Sequence, residues 1–178
     1  MKDKITAGII GASGYVGGEA LRILLDHPDV EVVQATSESN VGKFVHSIHP
    51  NLRKKTELKF TSMNNLQDVD VLFLGLPHGL SSKKMDFFMS KAGKIIDKGS
   101  DFRLRNPADY ERYYGEAHHN PEMIKKFVYG IPELHRSEIK EADYVAAAGC
   151  NSTAPSLPLS PLDKEGLVHS VWTFDTPY

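Results

Sequence analysis

Three glycines at three-residue spacing, Gly11, Gly14 and Gly17 in "GIIGASGYVGGEA", constrain this chain more than any other feature. The apolar run before them, "ITAGIIG" (5–11), reads as a strand. The stretch after them, "YVGGEALRILLDH" (15–27), reads as a helix with Val16, Ala20, Leu21, Leu24 and Leu25 on one face and Pro28 as its stop. Strand, glycine turn and helix in that order open a parallel βαβ unit. The spacing G-x-x-G-x-x-G is a relative of the dinucleotide fingerprint G-x-G-x-x-G. Glycines allow the tight turn and let backbone approach a diphosphate, while the helix N-terminus offers free N–H groups and partial positive charge.

The rest of the chain extends this pattern. "VEVVQAT" (30–36), "VDVLFLGL" (69–76), "KIIDKG" (94–99) and "YVAAAG" (144–149) are short apolar runs suited to strands buried on both faces. Between them, "SSKKMDFFMSKAG" (81–93) predicts a Ser-capped helix ending at Gly93, and "SEIKEA" (137–142) a further helix. The expected fold is α/β, a Rossmann-type doubly wound parallel sheet. Segments 40–57 and 100–131, polar and rich in His and Pro, read as functional loops or partner-covered surface.

Composition excludes several classes of function. A formal net charge of -2 over 178 residues gives no electrostatic basis for binding nucleic acid or an anionic membrane. The N-terminal apolar stretch is too short for a membrane span and runs straight into the glycines, so no signal peptide is expected. One cysteine leaves no internal disulfide and fits a reducing, cytoplasmic setting. Eight histidines without H-E-x-x-H or paired cysteine ligands give no metal site.

The end of the second strand is where such folds choose between NAD and NADP, since an acid there binds the ribose 2′-hydroxyl and repels a 2′-phosphate. Here Thr36 and Ser37 stand where the acid is expected, and Glu38 follows one residue later. The hydroxyls of Ser37 and Ser39, with Lys43 nearby, suit a 2′-phosphate; Glu38 argues for the free hydroxyl. NADP is the favoured expectation.

The single cysteine, Cys150, lies in "AAAGCNSTAP". Gly149 allows a sharp turn, and Asn151, Ser152 and Thr153 are good helix-start residues. A cysteine in the first turn of a helix after a buried strand sits where free amides and the macrodipole favour a thiolate, which points to a nucleophile; a buried, inert thiol is the alternative. A nucleophilic thiol beside a nicotinamide site fits one chemistry: an activated acyl group is captured as a thioester, which accepts hydride and leaves as an aldehyde.

Seven stretches in order carry a family resemblance: "GASGYVGGEALRILL", "HPNLR" (49–53), "LGLPHGLSS" (74–82), "DKGSDFRLRNP" (97–107), "YYGEAHHNP" (113–121), "YGIPELHR" (129–136) and "GCNSTA" (149–154). Together they resemble N-acetyl-gamma-glutamyl-phosphate reductase and its relative acting on carrier-protein-linked aminoadipyl or glutamyl phosphate, in arginine and lysine biosynthesis. "HPNLR" and "GCNST" lean to the carrier-linked branch. The resemblance implies that Cys150 accepts the acyl group, that Ser13, Gly14, Tyr15 and Val16 with Ser37, Glu38 and Ser39 contact NADP, and that Leu76 and Pro77 run beside its nicotinamide half. Arg103 grips an anionic substrate group or makes a structural ion pair with Asp101 or a neighbouring acid; His118, His119 and Asn151 are candidates for the substrate mouth, while His118, His119 and His78 alike read more readily as satisfied loop histidines. The substrate implied is a small acyl phosphate, free or on a small acidic carrier protein, and full-length members are expected to be homo-oligomers.

The sequence also departs from that family. Residues 1–149 read as the NADP-binding domain, and 150–178 as the nucleophile turn, its helix and the first stub of a truncated second domain. The family's general acid/base histidine has no counterpart here, and His169 reads as a strand-flanking residue. General acid/base help contributes about 10²–10⁴-fold, so a binding remnant with little turnover stands as an alternative, beside an enzyme of the aspartate-semialdehyde dehydrogenase type. Pro155, Pro158 and Pro161 fall inside the segment after Cys150; a helix there is expected to kink or stop early at Pro158.

Overall fold

The computed structural model describes residues 4–168. Seven strands form one sheet: β1 (Ile5–Ile10), β2 (Val30–Thr36), β3 (Phe60–Thr61), β4 (Val69–Leu74), β5 (Ala92–Asp97), β6 (Phe127–Gly130) and β7 (Tyr144–Ala147). Their order is β3-β2-β1-β4-β5-β7-β6, and every pairing is parallel. The strand order reverses between β1 and β4, which opens a crevice at the carboxyl edge where such sheets bind ligands. The helices are α1 (Tyr15–Leu24), α2 (Val45–Ile48), α3 (Leu80–Met89), α4 (Pro107–Tyr114), α5 (Pro121–Ile124), α6 (Pro132–Glu141) and α7 (Cys150–Lys164).

Two hydrophobic clusters, one on each side of the sheet, follow from the two-residue period of the strands. Ile9 joins Leu21, Leu24, Val32, Ala35, Leu52 and Phe60 under α1, while its neighbour Ile10 joins Leu72, Leu74, Met85, Phe88 and Ile95 under α3. Within α1 the buried stripe is Gly17, Gly18, Leu21 and Leu24. Val16, expected on the buried face, is 52% exposed, because the glycines bring the helix close to the sheet on a different side. Val16, Ala20 and Ile23 instead line an open apolar cleft over Phe73, Ile96 and Ala147.

Several local expectations change in the fold. The segments expected to be irregular carry α2, α4, α5 and β6, with Asn106 capping α4 through its side chain and Gly115 closing it at φ +76°. The two-residue strand β3 carries no periodic signal of its own. Helix α3 is not Ser-capped: Ser81 turns its hydroxyl to Asp97, and the carboxylate of Asp101 takes the amides of Gly79 and Ser82. It ends at Met89, and Gly93 lies within β5.

Helix α7 runs without a stop through Pro155, Pro158 and Pro161, correcting the expected kink. At 100° per residue, three prolines at three-residue spacing keep their missing amides within a sector of about 120°, so the hydrogen-bond rows on the other side stay continuous. No residue of α7 is buried. His169 and the stub of a second domain lie outside the described residues.

Candidate functional site

The loops after β1, β4, β5 and β7 all emerge at the carboxyl edge, so the parallel topology gathers the candidate residues there. Gly11 sits at φ +70°, and a Cβ on it would lie 2.2 Å from the Gly75 carbonyl oxygen. A Cβ on Gly17 would lie 2.4 Å from the Gly11 oxygen and 2.6 Å from Ala12 Cα. Gly11 lets the turns after β1 and β4 touch, and Gly17 lets α1 close onto the turn after β1. Gly14 is the N-cap of α1, with no side-chain cap. The amides of the first turn of α1 therefore face a cleft of ≈250 Å³ lined by Gly14, Tyr15, Val16, Gly17, Gly75, Leu76, Pro77 and Lys98. Its shape and free donors fit a dinucleotide diphosphate.

At the end of β2, Ser13 Oγ and Ser37 Oγ are 2.7 Å apart, and Ser39 Oγ lies 3.4 Å from Ser37 Oγ. Asn40 donates to both Ser37 and Ser39, and Lys43 donates to Asn40 Oδ1 at 3.1 Å. Glu38 is turned out of this cluster: its carboxylate accepts from Ser62 Oγ at 3.0 Å and from the Met63 amide at 2.7 Å.

His49 escapes the sequence reading as a site residue. Its Nε2 lies 2.8 Å from the Ala12 carbonyl oxygen, and its ring packs where a Cβ on Gly18 would fall, 2.4 Å from Cε1. It braces the glycine turn from outside, and the "HPNLR" stretch was its only signal.

The second half of the edge is built around Arg103 and Cys150. Arg103 Nε donates to the Ala147 carbonyl at 2.8 Å, and Nη2 to that of Lys98 at 2.9 Å, tying the ends of β7 and β5 together. It forms no pair with Asp101, whose carboxylate is occupied by α3. A Cβ on Gly149 would lie 2.9 Å from Arg103 Nη1, so that glycine makes room for the guanidinium. Cys150 is the first residue of α7 and is exposed, which sets aside the buried thiol; its Sγ lies 3.7 Å from Asn151 Oδ1. The Gly149 carbonyl oxygen accepts from Ser152 Oγ and from Thr153 at both N and Oγ1, fixing the turn. Arg103, Arg105, Tyr129, Asn151 and Ser152 line a second cleft of ≈630 Å³ beside the thiol. With strands about 4.8 Å apart, the turn after β7 stands about 10 Å from the turn after β4.

Other candidates lie away from these clefts. His118 is 7% exposed; Nε2 meets the Asp101 carbonyl oxygen at 3.0 Å, and Nδ1 accepts from the Asn120 amide. Burial holds it below the usual histidine range, and the neutral ring has no free nitrogen for a substrate. The expectation that it lines the substrate mouth is therefore corrected. His78 stacks on Tyr114 at 4.2 Å and bonds to Ser100, locking the loop after β5. His119 stands 3.9 Å from Glu116. Asp97 is fully buried, with Oδ1 on Ser81 and the Gly99 amide and Oδ2 without a partner; burial pushes its carboxyl up to about 6. Among the described residues, no helix is long and apolar enough to cross a membrane.

The switch-point cleft and glycine turn define a doubly wound nucleotide-binding domain. The family model described as "Semialdehyde dehydrogenase, NAD binding domain" matches residues 6–142, and the chain belongs to that family. The chain is 46% identical over 164 residues to the LysW-L-2-aminoadipate 6-phosphate reductase of Deinococcus radiodurans, covering 92% of this chain and 47% of that one. A Thermomicrobium roseum relative given the same name provisionally is 52% identical over 164 residues, with coverage of 92% and 47%. The chain thus spans about half the length of the curated relatives it matches. Among solved structures, aspartate semialdehyde dehydrogenase with NADP from Candida albicans aligns at TM-score 0.63 and 16% identity, covering 93% of this chain and 48% of that one. Aspartate semialdehyde dehydrogenase II from Vibrio cholerae aligns at TM-score 0.66 and 18% identity, with coverage of 92% and 43%. These two support the fold.

Proposed function

We propose that this chain is the dinucleotide-binding and nucleophile-bearing part of an NADPH-dependent acyl-phosphate reductase, acting on aminoadipyl or glutamyl phosphate borne by a small carrier protein. The observation that carries the reading is the convergence, at one sheet edge, of a glycine cleft fitted to a diphosphate and an exposed thiol at a helix N-terminus. The names of the relatives at 46% and 52% identity supply the carrier-linked aminoadipyl substrate, and the motif resemblance adds the glutamyl one. The Ser13, Ser37 and Ser39 hydroxyls, with Asn40 and Lys43, support NADP over NAD, because Glu38 is held by Ser62 and Met63 and does not face them.

In this reading the Cys150 thiolate attacks the acyl carbon; the C–S bond forms, the bond from that carbon to the bridging phosphate oxygen breaks, and phosphate leaves, taking up one proton. The α1 amides hold the diphosphate, and Leu76 and Pro77 flank the nicotinamide half. A reduced nicotinamide held in this cleft would supply the hydride, two electrons, that the thioester carbon accepts. The C–S bond then breaks with its electron pair returning to sulfur, which would release the semialdehyde and regenerate the thiolate. Arg103 holds the Cys150 turn against β5 and turns Nη1 toward the incoming anion. Asn151 orients the thiol.

The test is incubation with the carrier-linked acyl phosphate, read by intact mass and phosphate release. The expected result is one thioester at Cys150 and one equivalent of phosphate, both lost in C150S, together with NADPH binding. NADPH binding without thioester would make the chain a binding module; thioester formation with aspartyl phosphate alone would assign it to the aspartate semialdehyde group.

A further inference from the structure

Lys98 is a cleft residue whose charge the mechanism above leaves unused. It follows β5 directly, and its side chain crosses to α1, where Nζ donates to the Val16 carbonyl at 3.1 Å and sits 5.8 Å from the Phe73 ring centroid. Among the described residues it has no carboxylate partner. Glu19, on the adjoining cleft, is held by Arg22 Nε at 2.9 Å, and Asp97 by Ser81 and Gly99. The ammonium is half-buried, and that burial alone pulls it down to about 8. A single neutral carbonyl compensates such a cation less well than an anion does. Lys98 lines the same cleft as Gly14, Tyr15, Val16 and Gly17, so an anion on the α1 amides shares that cleft with its side chain.

Resting on the dinucleotide reading above, we propose that Lys98 is the charge partner of the dinucleotide diphosphate, leaving the Val16 carbonyl to close the cleft over it. The cation then faces the part of the ligand that NADH and NADPH share, whereas the Ser37 cluster faces the part that distinguishes them. Lys98 sets affinity, and the end of β2 sets the choice of cofactor.

The experiment titrates the 178-residue chain, K98M, K98Q and S37A with NADPH and with NADH at low and high salt, following nicotinamide fluorescence. K98M should weaken both dinucleotides by the same factor, about tenfold at low salt, and flatten the salt dependence. K98Q can still donate to Val16 and so guards against a purely structural loss; it should show the same weakening. S37A should weaken NADPH alone. Unchanged binding by K98M and K98Q, or a loss confined to NADPH, would overturn the proposal for Lys98 while leaving the dinucleotide site standing. Failure of the unsubstituted chain to bind either dinucleotide would overturn the dinucleotide reading itself.

Discussion

The turn after β1 and the turn after β7 have the same design, a parallel strand leading through glycine into a helix, yet they are supported in opposite ways. The first is locked: Gly11 and Gly17 have backbone where any Cβ would go, His49 braces it, and α1 buries Gly17, Gly18, Leu21 and Leu24. The second is held at its root by Arg103, the Gly149 carbonyl and the contact of Ser152 with Tyr129, and no residue of its helix is fully buried. A turn that shapes a binding cleft gains from rigidity, whereas a thiol proposed to attack an acyl group needs access. Substitutions at the first turn should therefore cost folding stability, and substitutions at the second should cost chemistry alone.

The largest effect is expected from Gly11→Ala, which combines a positive φ with a 2.2 Å collision with the Gly75 oxygen. It should lower the unfolding free energy by about 3 kcal/mol or more and abolish NADPH binding. A denaturant midpoint within error of the parent would show that the turn is not locked.

Asp97, beneath the loop that joins the two turns, gives the next effect. Its folded carboxyl titrates near 6, above the ordinary value of 3.8, so the fold favours the protonated form. The stabilisation is complete below pH 4 and is lost as pH rises through 6, by at most about 3 kcal/mol. Urea midpoints between pH 4 and pH 7 should fall accordingly, and D97N should remove that part of the slope.

His49→Ala removes the bond to Ala12 and the ring over Gly18, for an expected loss of about 1–2 kcal/mol in thermal melts and weaker NADPH binding. At the small end, C150S should leave stability within about 0.5 kcal/mol of the parent, as expected for an exposed side chain, while eliminating thioester formation. A large destabilisation by C150S would erase the contrast between the turns.

The first turn was legible in the sequence because its constraints are local: strand period, glycine spacing and helix period coincide within residues 5–25. Cys150 was legible for the same reason, through Gly149 and the helix-start residues after it. What escaped depends on long-range placement. Asp101 caps α3 from beyond β5, Lys98 reaches α1, His49 reaches Ala12, and His118 is covered by Phe102 and Tyr110. None of these pairings leaves a periodic or positional mark in one sequence. The prolines misled because a rule for single prolines does not count which side of a helix the missing amides share.

If the two turns serve one site, the lone cysteine gives a direct readout of it. Alkylation of Cys150 by iodoacetamide, followed by intact mass with and without saturating NADPH, measures whether a dinucleotide in the glycine cleft reaches the thiol. NADPH should slow alkylation several-fold, and K98M should raise the NADPH concentration needed. Alkylation at the same rate with NADPH demonstrably bound would contradict a shared site.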